Sequence, residues 1–406
     1  MTHETLEIPW LRDRHSHVSL YASLRGCPDL ANLAPEAALA LLRGLPGDRL
    51  STVTGWHSSR LQLDPALLET LPPVILINFS LHGFKLTAGA RRLLAESQPE
   101  LLARQDDPEW CERNMERLLG FFGATAGLTP DGLDAFMESL QALGIGEVED
   151  MLLTDPAALE VLLASRWRDR VPFWTTPALY RRLPAAAQAA TAGLKLFTDG
   201  ALGARTAAME KPFLGGGQGL LTYADEGLEA QLAELLPLGK PLAIHAIGGR
   251  AIAQVLGALE RLAGRGLRLP EVRLEHVQFI SLDQARRAKG LGLVLSMQPN
   301  FTSDSVDYAD RLDPETLAAN NPFRMLIDQA GFRPGHDLIF GSDGMPHGVE
   351  YAFQWSLFPP FPGQRLGAEE LVAGYGPARE VEGRSVLSVD AGRREVRLLL
   401  SQASYA

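Results

Sequence analysis

The sequence of 406 residues contains only two cysteines, Cys27 and Cys111. Two thiols cannot build a disulfide framework or a cysteine-rich metal site, and so small a number fits a reducing compartment. The N-terminal segment is polar and acidic and lacks the apolar core of a signal peptide. We therefore expect a cytoplasmic protein.

Long apolar runs and clusters of basic residues are also missing. No apolar stretch reaches the roughly 20 residues that a membrane helix needs, so no membrane partner is expected. The net charge is −11, and lysine and arginine form no stripe, which argues against a nucleic-acid partner. The composition, with 46% hydrophobic and 21% charged residues, is that of an ordinary globular protein.

Short apolar runs alternate with amphipathic stretches from about residue 144 onward. This pattern predicts a parallel sheet in which each strand is followed by a helix. With residues 8–17 as the first strand there are eight strands, the number that closes a (β/α)₈ TIM barrel of the α/β class. The other predicted strands are 146–153, 171–175, 194–198, 242–245, 272–276, 291–297 and 338–341.

Polar side chains end several of these runs, at the strand ends where such barrels place their chemistry. His15 and His17 are two residues apart and so point to the same side of the first strand. The later strand ends carry Lys195, His245, His276 and Asp343. Imidazoles with carboxylate support suit Zn²⁺ and similar divalent ions. The pattern predicts a metal site at the barrel mouth.

The rest of the chain divides into an insertion and a tail. We predict that the barrel comprises residues 8–17 and 144–378, and that 18–143 form an inserted subdomain over its mouth. The insertion begins at the end of the first strand, where loops emerge on the catalytic face of such barrels. It is too long to be an ordinary strand-to-helix loop. Residues 379–406 contain two weak strand runs that could form a hairpin.

The order His-x-His, Lys, His, His, Asp resembles that of the amidohydrolase superfamily. The surrounding segments are similar to those of its YtcJ-like branch, amidohydrolase family 3. They are Lys195-Leu-Phe-Thr-Asp-Gly-Ala-Leu-Gly203, His245-Ala-Ile-Gly-Gly-Arg-Ala251, Glu275-His276-Val-Gln, Ser296-Met-Gln-Pro299 and Gly341-Ser-Asp343. Upstream, Leu81-His82-Gly83 resembles a further histidine motif of this branch.

The resemblance implies a divalent metal centre, usually of one or two Zn²⁺ ions. The positions that match the family's ligands are His15, His17, His245, His276 and Asp343. Lys195 matches a lysine that many members carboxylate with CO₂. An ammonium group has no lone pair to offer a metal, whereas a carbamate supplies two oxygens. Asp343 would also act as the general base, although it could instead cap the following helix.

Other polar residues are candidates for contact with a small-molecule substrate. His82 follows an apolar strand run, so it is either a catalytic contact or a buried structural histidine. Further candidates are His57 in the insertion and Arg205, Gln298 and His347 on loops after barrel strands. Each of these is otherwise a solvated or structural residue. Barrels of this kind often pair, so a homodimer is also possible.

Two features depart from the family pattern. Members usually carry a small β-sandwich built from both chain ends, but His15 comes too early to leave room for its N-terminal half. The fold we expect is thus a barrel with little or no β-sandwich. The family also commonly has Asp where this chain has Gly249, which would alter the hydrogen bonding that orients metal ligands.

The function that these residues predict is hydrolysis of a non-peptide C–N bond by a metal-activated water. The expected substrate is an N-substituted amide, a formamide, an N-acyl compound or a cyclic amide. One alternative is deamination of a heterocyclic amine, because hydroxide attack on an amidine carbon is chemically close. A second alternative is a barrel that has lost catalysis and has a binding role.

Overall fold

A computed structural model describes residues 3–56, 61–78 and 83–403 of the chain. Its strands are β1 (His3–Pro9), β2 (Leu11–Ser16), β3 (Ser51–Trp56), β4 (Val74–Asn78), β5 (Phe84–Leu86), β6 (Ile145–Leu153), β7 (Phe173–Thr175), β8 (Gly193–Phe197), β9 (Leu242–Ala246), β10 (Val272–His276), β11 (Val294–Met297), β12 (Leu338–Phe340), β13 (Gly383–Asp390) and β14 (Glu395–Ala403).

The α-helices are α1 (Val18–Leu24), α2 (Pro35–Arg43), α3 (Pro65–Thr70), α4 (Ala88–Leu94), α5 (Pro99–Arg104), α6 (Pro108–Arg113), α7 (Met115–Ala126), α8 (Pro130–Ala142), α9 (Pro156–Ala164), α10 (Pro177–Tyr180), α11 (Ala185–Ala190), α12 (Asp225–Leu235), α13 (Gly249–Gly264), α14 (Leu282–Gly290), α15 (Asp304–Asp307), α16 (Pro314–Ala319), α17 (Val349–Leu357) and α18 (Ala368–Tyr375). Single turns of 3₁₀ helix lie at Arg168–Arg170, Leu236–Leu238 and Pro362–Gln364; Pro299–Ser303 is a longer 3₁₀ segment, and Met325–Gln329 is a π-helix. None of these described helices is both long and apolar enough to cross a bilayer.

The eight predicted barrel strands form one sheet in the order β12-β11-β10-β9-β8-β7-β6-β2, and each hydrogen-bonded pair is parallel. The outer strands of the sheet meet where the Asp343 amide donates to the His15 carbonyl at 2.7 Å. Gly341 permits this approach, because a Cβ there would lie 2.3 Å from the His15 nitrogen. The predicted (β/α)₈ architecture is confirmed.

The start of the first barrel strand differs from the prediction. The predicted strand is interrupted at Trp10. The part before it, β1, pairs antiparallel with β13, which pairs antiparallel with β14. Both chain ends therefore build a three-stranded sheet. The expected barrel with little or no β-sandwich is confirmed, and the N-terminal segment contributes one strand of seven residues to this small sheet.

Charged side chains of the barrel strands form a largely buried ion network, which we call the interior network. It consists of Arg12, Arg14, Glu147, Glu149, Arg273 and Glu275. At its centre, Glu149 lies 2.6 Å from Arg273 and 2.9 Å from Arg14. Three arginines and three glutamates balance in charge, which is the condition under which buried ions are tolerated.

The described residues divide into two compact units, one with most of the barrel and one made of residues 19–133 and 155–161. In the second unit, β3 and β4 are parallel and β5 is antiparallel to β4. Successive residues of β4 pack into different clusters, Ile75 with Phe122 and Leu76 with Leu42. Both faces of β4 are therefore covered, as its continuous apolar sequence requires.

Candidate metal centre

A β-bulge in β2 turns His15 toward the barrel interior. Asp13 pairs with Val148 and Ser16 with Asp150, so three steps along β2 oppose two along β6. Without this extra residue, His15 and Arg14 would point to opposite faces. With it, the Arg14 side chain reaches Glu149 while the His15 ring reaches Glu275. Bulges that re-aim a side chain are common beside active sites.

His15, His17 and Asp343 form what we call the ligand group. Each offers one ligand atom, and these three atoms all lie within 4.8 Å of one another. Asp343 Oδ1 lies 3.1 Å from His17 Nε2 and 3.6 Å from His15 Nε2. The His15 side chain is fully buried, whereas those of His17 and Asp343 are 13% and 14% exposed. The group therefore opens toward solvent on one side.

His245 and His276 lie beside the ligand group but outside it. The ring centroids of His15 and His276 are 4.8 Å apart, and those of His276 and His245 are 4.5 Å apart. His276 ends its strand with a φ of +71°, and Val277 follows with +41°. Such angles are unusual outside glycine, and they turn His276 away from regular strand alternation. The four predicted imidazole ligands thus form one row.

Lys195 is fully buried and points into the same row of rings. Its Nζ lies 3.5 Å from His15 Nε2 and 5.2 Å from the Phe197 ring centroid. Burial lowers the pKa of Lys195 to about 8, although Glu275 and Asp343 act in the opposite direction. The neutral amine is therefore far easier to reach here than in an exposed lysine.

Each buried imidazole has a hydrogen-bond partner on one ring nitrogen. His15 Nδ1 lies 2.5 Å from Glu275 Oε2, and His276 Nδ1 lies 2.8 Å from Gln298 Oε1. His245 Nε2 lies 3.1 Å from the Gly200 carbonyl oxygen and 3.3 Å from an Asp199 oxygen. Such contacts fix the ring orientation and leave the second nitrogen for an ion.

The chemistry of this donor set fits a divalent cation. Burial, with a smaller contribution from Lys195, lowers the pKa of His15 to about 4, and burial also places the pKa of His276 well below its usual value. Burial alone would raise the pKa of Asp343, but His15 and His17 outweigh it and hold that pKa far below its usual range. Neutral imidazoles and an ionised carboxylate are the forms that bind Zn²⁺.

Backbone and polar contacts hold Asp343 in place. Its φ is +57°, a left-handed conformation that Asp tolerates better than most residues. The preceding Ser342 donates its N–H to Asp13 at 2.8 Å and its hydroxyl to the same carboxylate. Asn300 donates to the carbonyls of Ser342 and Met345 at 2.9 and 2.7 Å. Asp343 is thus fixed by contacts on both sides.

The residues that we predicted to contact substrate differ in their burial and in whether they lie beside the ligand group. His347 Nε2 lies 2.7 Å from the Ser16 hydroxyl, next to the ligand group, whereas Arg205 is exposed and donates to the Leu214 carbonyl at 3.1 Å. Gln298 is fully buried against His276. His57 and His82 lie outside the described residues, so their predicted roles stay predictions.

A side chain at Gly249 would require the exposed side chain of Glu210 to move. Gly249 is the first residue of α13, and a Cβ added there would lie 2.8 Å from Cγ of Glu210. Asp199 makes the polar contacts at this point, because its carboxylate accepts the N–H groups of Ile247 and Gly248 at 3.0 and 2.9 Å. Asp199 therefore holds the loop that follows β9, directly after His245.

Sequence reasoning missed Glu275, Asp199 and Arg273 as residues that support the site. Glu275 and Asp199 do stand inside the segments that resemble the family, next to or near a predicted ligand. Arg273 lies two residues before Glu275 in β10, so strand alternation puts both charged side chains on one face, and this spacing is the signal that could have identified Arg273. Its other partners could not have been named, because they lie on distant strands.

Comparison with known proteins places this barrel in a family. A model described as the amidohydrolase family matches residues 89–356, well over half of the chain. The chain belongs to the amidohydrolase family. Over 139 residues it is 30% identical to YtcJ of Bacillus subtilis strain 168, a protein named as an amidohydrolase. Over 124 residues it is 32% identical to LONG AFTER FAR-RED 3 of Arabidopsis thaliana.

These sequence matches are partial. They cover 34% and 28% of this chain, and only 26% and 20% of the two relatives' own lengths. Solved structures match over more of the chain. A protein of Pyrococcus furiosus gives a TM-score of 0.66 at 22% identity over 91% of this chain and 81% of its own. One from Pyrococcus horikoshii OT3 gives 0.63 at 24% identity over 86% and 73%. These likenesses establish a shared fold.

Proposed function

We propose that this protein is a divalent-metal-dependent hydrolase that cleaves a non-peptide C–N bond. Membership of the amidohydrolase family supports a hydrolase with a divalent ion, and both Pyrococcus proteins are described as metal-dependent hydrolases. The observation that carries the proposal is the ligand group, with its three ligand atoms within 4.8 Å of one another. The ion we propose is Zn²⁺, which favours imidazole and carboxylate ligands.

In this proposal His15, His17 and Asp343 hold one ion, and His245 and His276 hold a second. A bound divalent ion would lower the pKa of a coordinated water and polarise the substrate carbonyl. Asp343 would accept the proton of the attacking water and return it to the leaving nitrogen. The C–N bond would break in this reaction, with the hydroxide bonded to carbon and the proton to the leaving nitrogen.

We propose that Lys195 joins these two positions as a carbamate. Its Nζ points into the row of imidazoles and is fully buried. CO₂ would react with the neutral amine, the form that burial favours here, by forming an N–C bond as one C=O π bond opens and one amine proton is released. Solution ¹³C NMR after exchange with labelled bicarbonate should give a carbamate signal that Lys195→Ala removes. A signal that persists in the variant would contradict this assignment.

The proposed substrates are small molecules with an N-formyl, N-acyl, N-substituted amide or cyclic amide group. His347 is the described residue best placed to contact them, because it adjoins the ligand group. Gln298, fully buried against His276, we assign to ligand orientation instead. Arg205 stays a proposed contact for the outer part of a substrate. Cytoplasmic location and a homodimer also stay expectations.

The test combines metal analysis with a substrate panel. Purified protein should contain zinc, lose hydrolysis of at least one amide class on chelation, and regain it when Zn²⁺ is added back. Release of ammonia from heterocyclic amines alone would favour the deaminase instead. Metal binding without turnover of any compound would favour a binding role, and the absence of bound metal would contradict the proposal as a whole.

A further inference from the structure

Behind His15 the structure contains a buried hydrogen bond followed by a buried ion pair. Glu275 Oε2 lies 2.5 Å from His15 Nδ1, and the second carboxylate oxygen lies 3.0 Å from Arg273 Nε. All three side chains are at most 1% exposed. One carboxylate therefore separates the guanidinium of Arg273 from a proposed metal ligand.

Arg273 is itself held by four other strands. Its Nη1 lies 2.6 Å from Glu149 Oε2, and its Nη2 donates to the Arg14 carbonyl at 2.7 Å and to the Ser296 hydroxyl at 3.1 Å. The guanidinium also lies over the Trp174 ring, 4.9 Å from its centroid. A planar group with donors in a fixed fork is suited to bridging two carboxylates in one orientation.

We propose that Arg273, acting through Glu275, is a positioning residue for the metal ligand His15. The arginine fixes the Glu275 carboxylate, the carboxylate holds the His15 proton on Nδ1, and Nε2 is thereby presented to the ion. This inference rests on the proposed metal site and extends it to a residue that touches neither metal nor substrate. Carboxylate partners of metal-bound histidines typically alter metal affinity by about 10–100-fold.

The positive charge of Arg273 and its positioning of Glu275 have opposite effects on metal affinity. A cation inside the barrel repels a divalent ion, so removal of the charge alone would strengthen metal binding. Substitution by a neutral residue would mix these two effects. Arg273→Lys keeps the charge but replaces the fork by one ammonium group, which cannot reproduce the contacts of Nε, Nη1 and Nη2 together. This variant therefore isolates positioning.

The experiment measures the Zn²⁺ dissociation constant by competition with a chromogenic chelator. Arg273→Lys and Glu275→Gln are compared with Arg12→Lys, a matched control in which the arginine binds Glu149, at 2.7 Å, rather than Glu275. We expect the first two variants to bind Zn²⁺ about 10–100-fold more weakly than the wild type, and the control to stay within about threefold. ¹⁵N NMR of the metal-free protein should show that the Nδ1–H tautomer of His15 is lost in both variants and kept in the control.

The outcomes separate this inference from the proposed function. If Arg273→Lys binds Zn²⁺ as tightly as Arg12→Lys, the positioning role is overturned while the metal site stands. If Arg273→Lys does not fold, Glu275→Gln decides. It has a similar volume, but its one acceptor oxygen should face the Arg273 guanidinium, which turns its NH₂ group toward His15 Nδ1. Unchanged affinity and tautomer in that variant overturn the inference. A wild-type protein that binds no Zn²⁺ contradicts the proposed function itself.

Discussion

The barrel contains two polar regions that are built in different ways. In the interior network, glutamates face the guanidinium groups of Arg12, Arg14 and Arg273. At the mouth, the carboxylate of Asp343 faces the imidazoles of His15 and His17. The chain thus supplies its own compensating cations below the mouth, whereas the mouth offers ligand atoms suited to an added cation. Changes in the interior network should affect folding, with the added effect on Zn²⁺ affinity that we propose for Arg273 and Glu275. Changes at the mouth should affect metal binding and catalysis.

The largest effect that separates the two regions is expected from Asp343→Asn. Because the amide cannot take up a proton, turnover should fall by about 10²–10⁴-fold, the range for a general base. A matched control is Asp304→Asn, a partly buried carboxyl whose pKa is raised by desolvation to about 7 and which accepts from Gln278 at 2.8 Å. Steady-state kinetics of both variants should show the loss in the first alone. Equal losses in the two variants would contradict a specific catalytic role for Asp343.

The sequence was sufficient to predict the barrel and its row of ligand-type residues. Apolar runs mark parallel strands that are covered on both faces, so the predicted strands match the observed ones to within a few residues. Residues that end such strands meet at one edge whatever their partners are. The fold and the positions of His245, His276 and Asp343 followed from this.

The contacts between strands could not be predicted in the same way. Strand alternation puts Arg14 and His15 on opposite faces, and only the bulge opposite Val148 brings them together. The positive φ of His276 likewise overrides alternation at the end of β10. Such local departures depend on tertiary contacts, so the pairing of Glu275 with His15 was not visible in one sequence.

A substitution in the interior network should have the opposite signature. Glu149→Gln leaves Arg273, Arg14 and Arg12 short of their common partner, and breaking a buried pair costs about 3–5 kcal/mol. Zinc content should not change. Urea unfolding and metal analysis test both points. Glu138→Gln, which breaks an exposed pair with Arg166, is the control and should cost about 1 kcal/mol or less. If Glu149→Gln lost zinc but kept its normal stability, the distinction between the interior network and the mouth would be contradicted.

Removal of zinc by a chelator should lower the Tm only through loss of the ion at the barrel mouth. A ligand at 100 times its dissociation constant stabilises the folded state by about 2.7 kcal/mol, so zinc should raise Tm measurably. His17→Ala should abolish that increase. Glu149→Gln should show the same increase in Tm with zinc, but from a lower Tm without zinc. Thermal unfolding with and without Zn²⁺ checks this. A zinc-dependent increase that survives in His17→Ala would place the ion elsewhere.

Acid should weaken the metal-free protein through the histidines of the mouth. Burial lowers the pKa of His347 from 6.5 to about 4, so the unfolded chain takes up a proton at a pH where the folded one does not. Stability should therefore fall as pH drops from about 6.5 to 4, by at most about 1.4 kcal/mol per pH unit for this proton. His347→Gln should flatten the profile, and substitution of exposed His336 should not. Identical profiles for both variants would show that His347 titrates normally.

Crystals soaked with Zn²⁺ and measured on both sides of the zinc absorption edge show directly whether the ligand group binds an ion. We expect an anomalous peak within about 2.0–2.2 Å of nitrogen atoms of His15 and His17 and of an Asp343 carboxylate oxygen. A fully soaked crystal with no peak at this group, or with zinc bound only at other residues, would contradict the metal site that we propose.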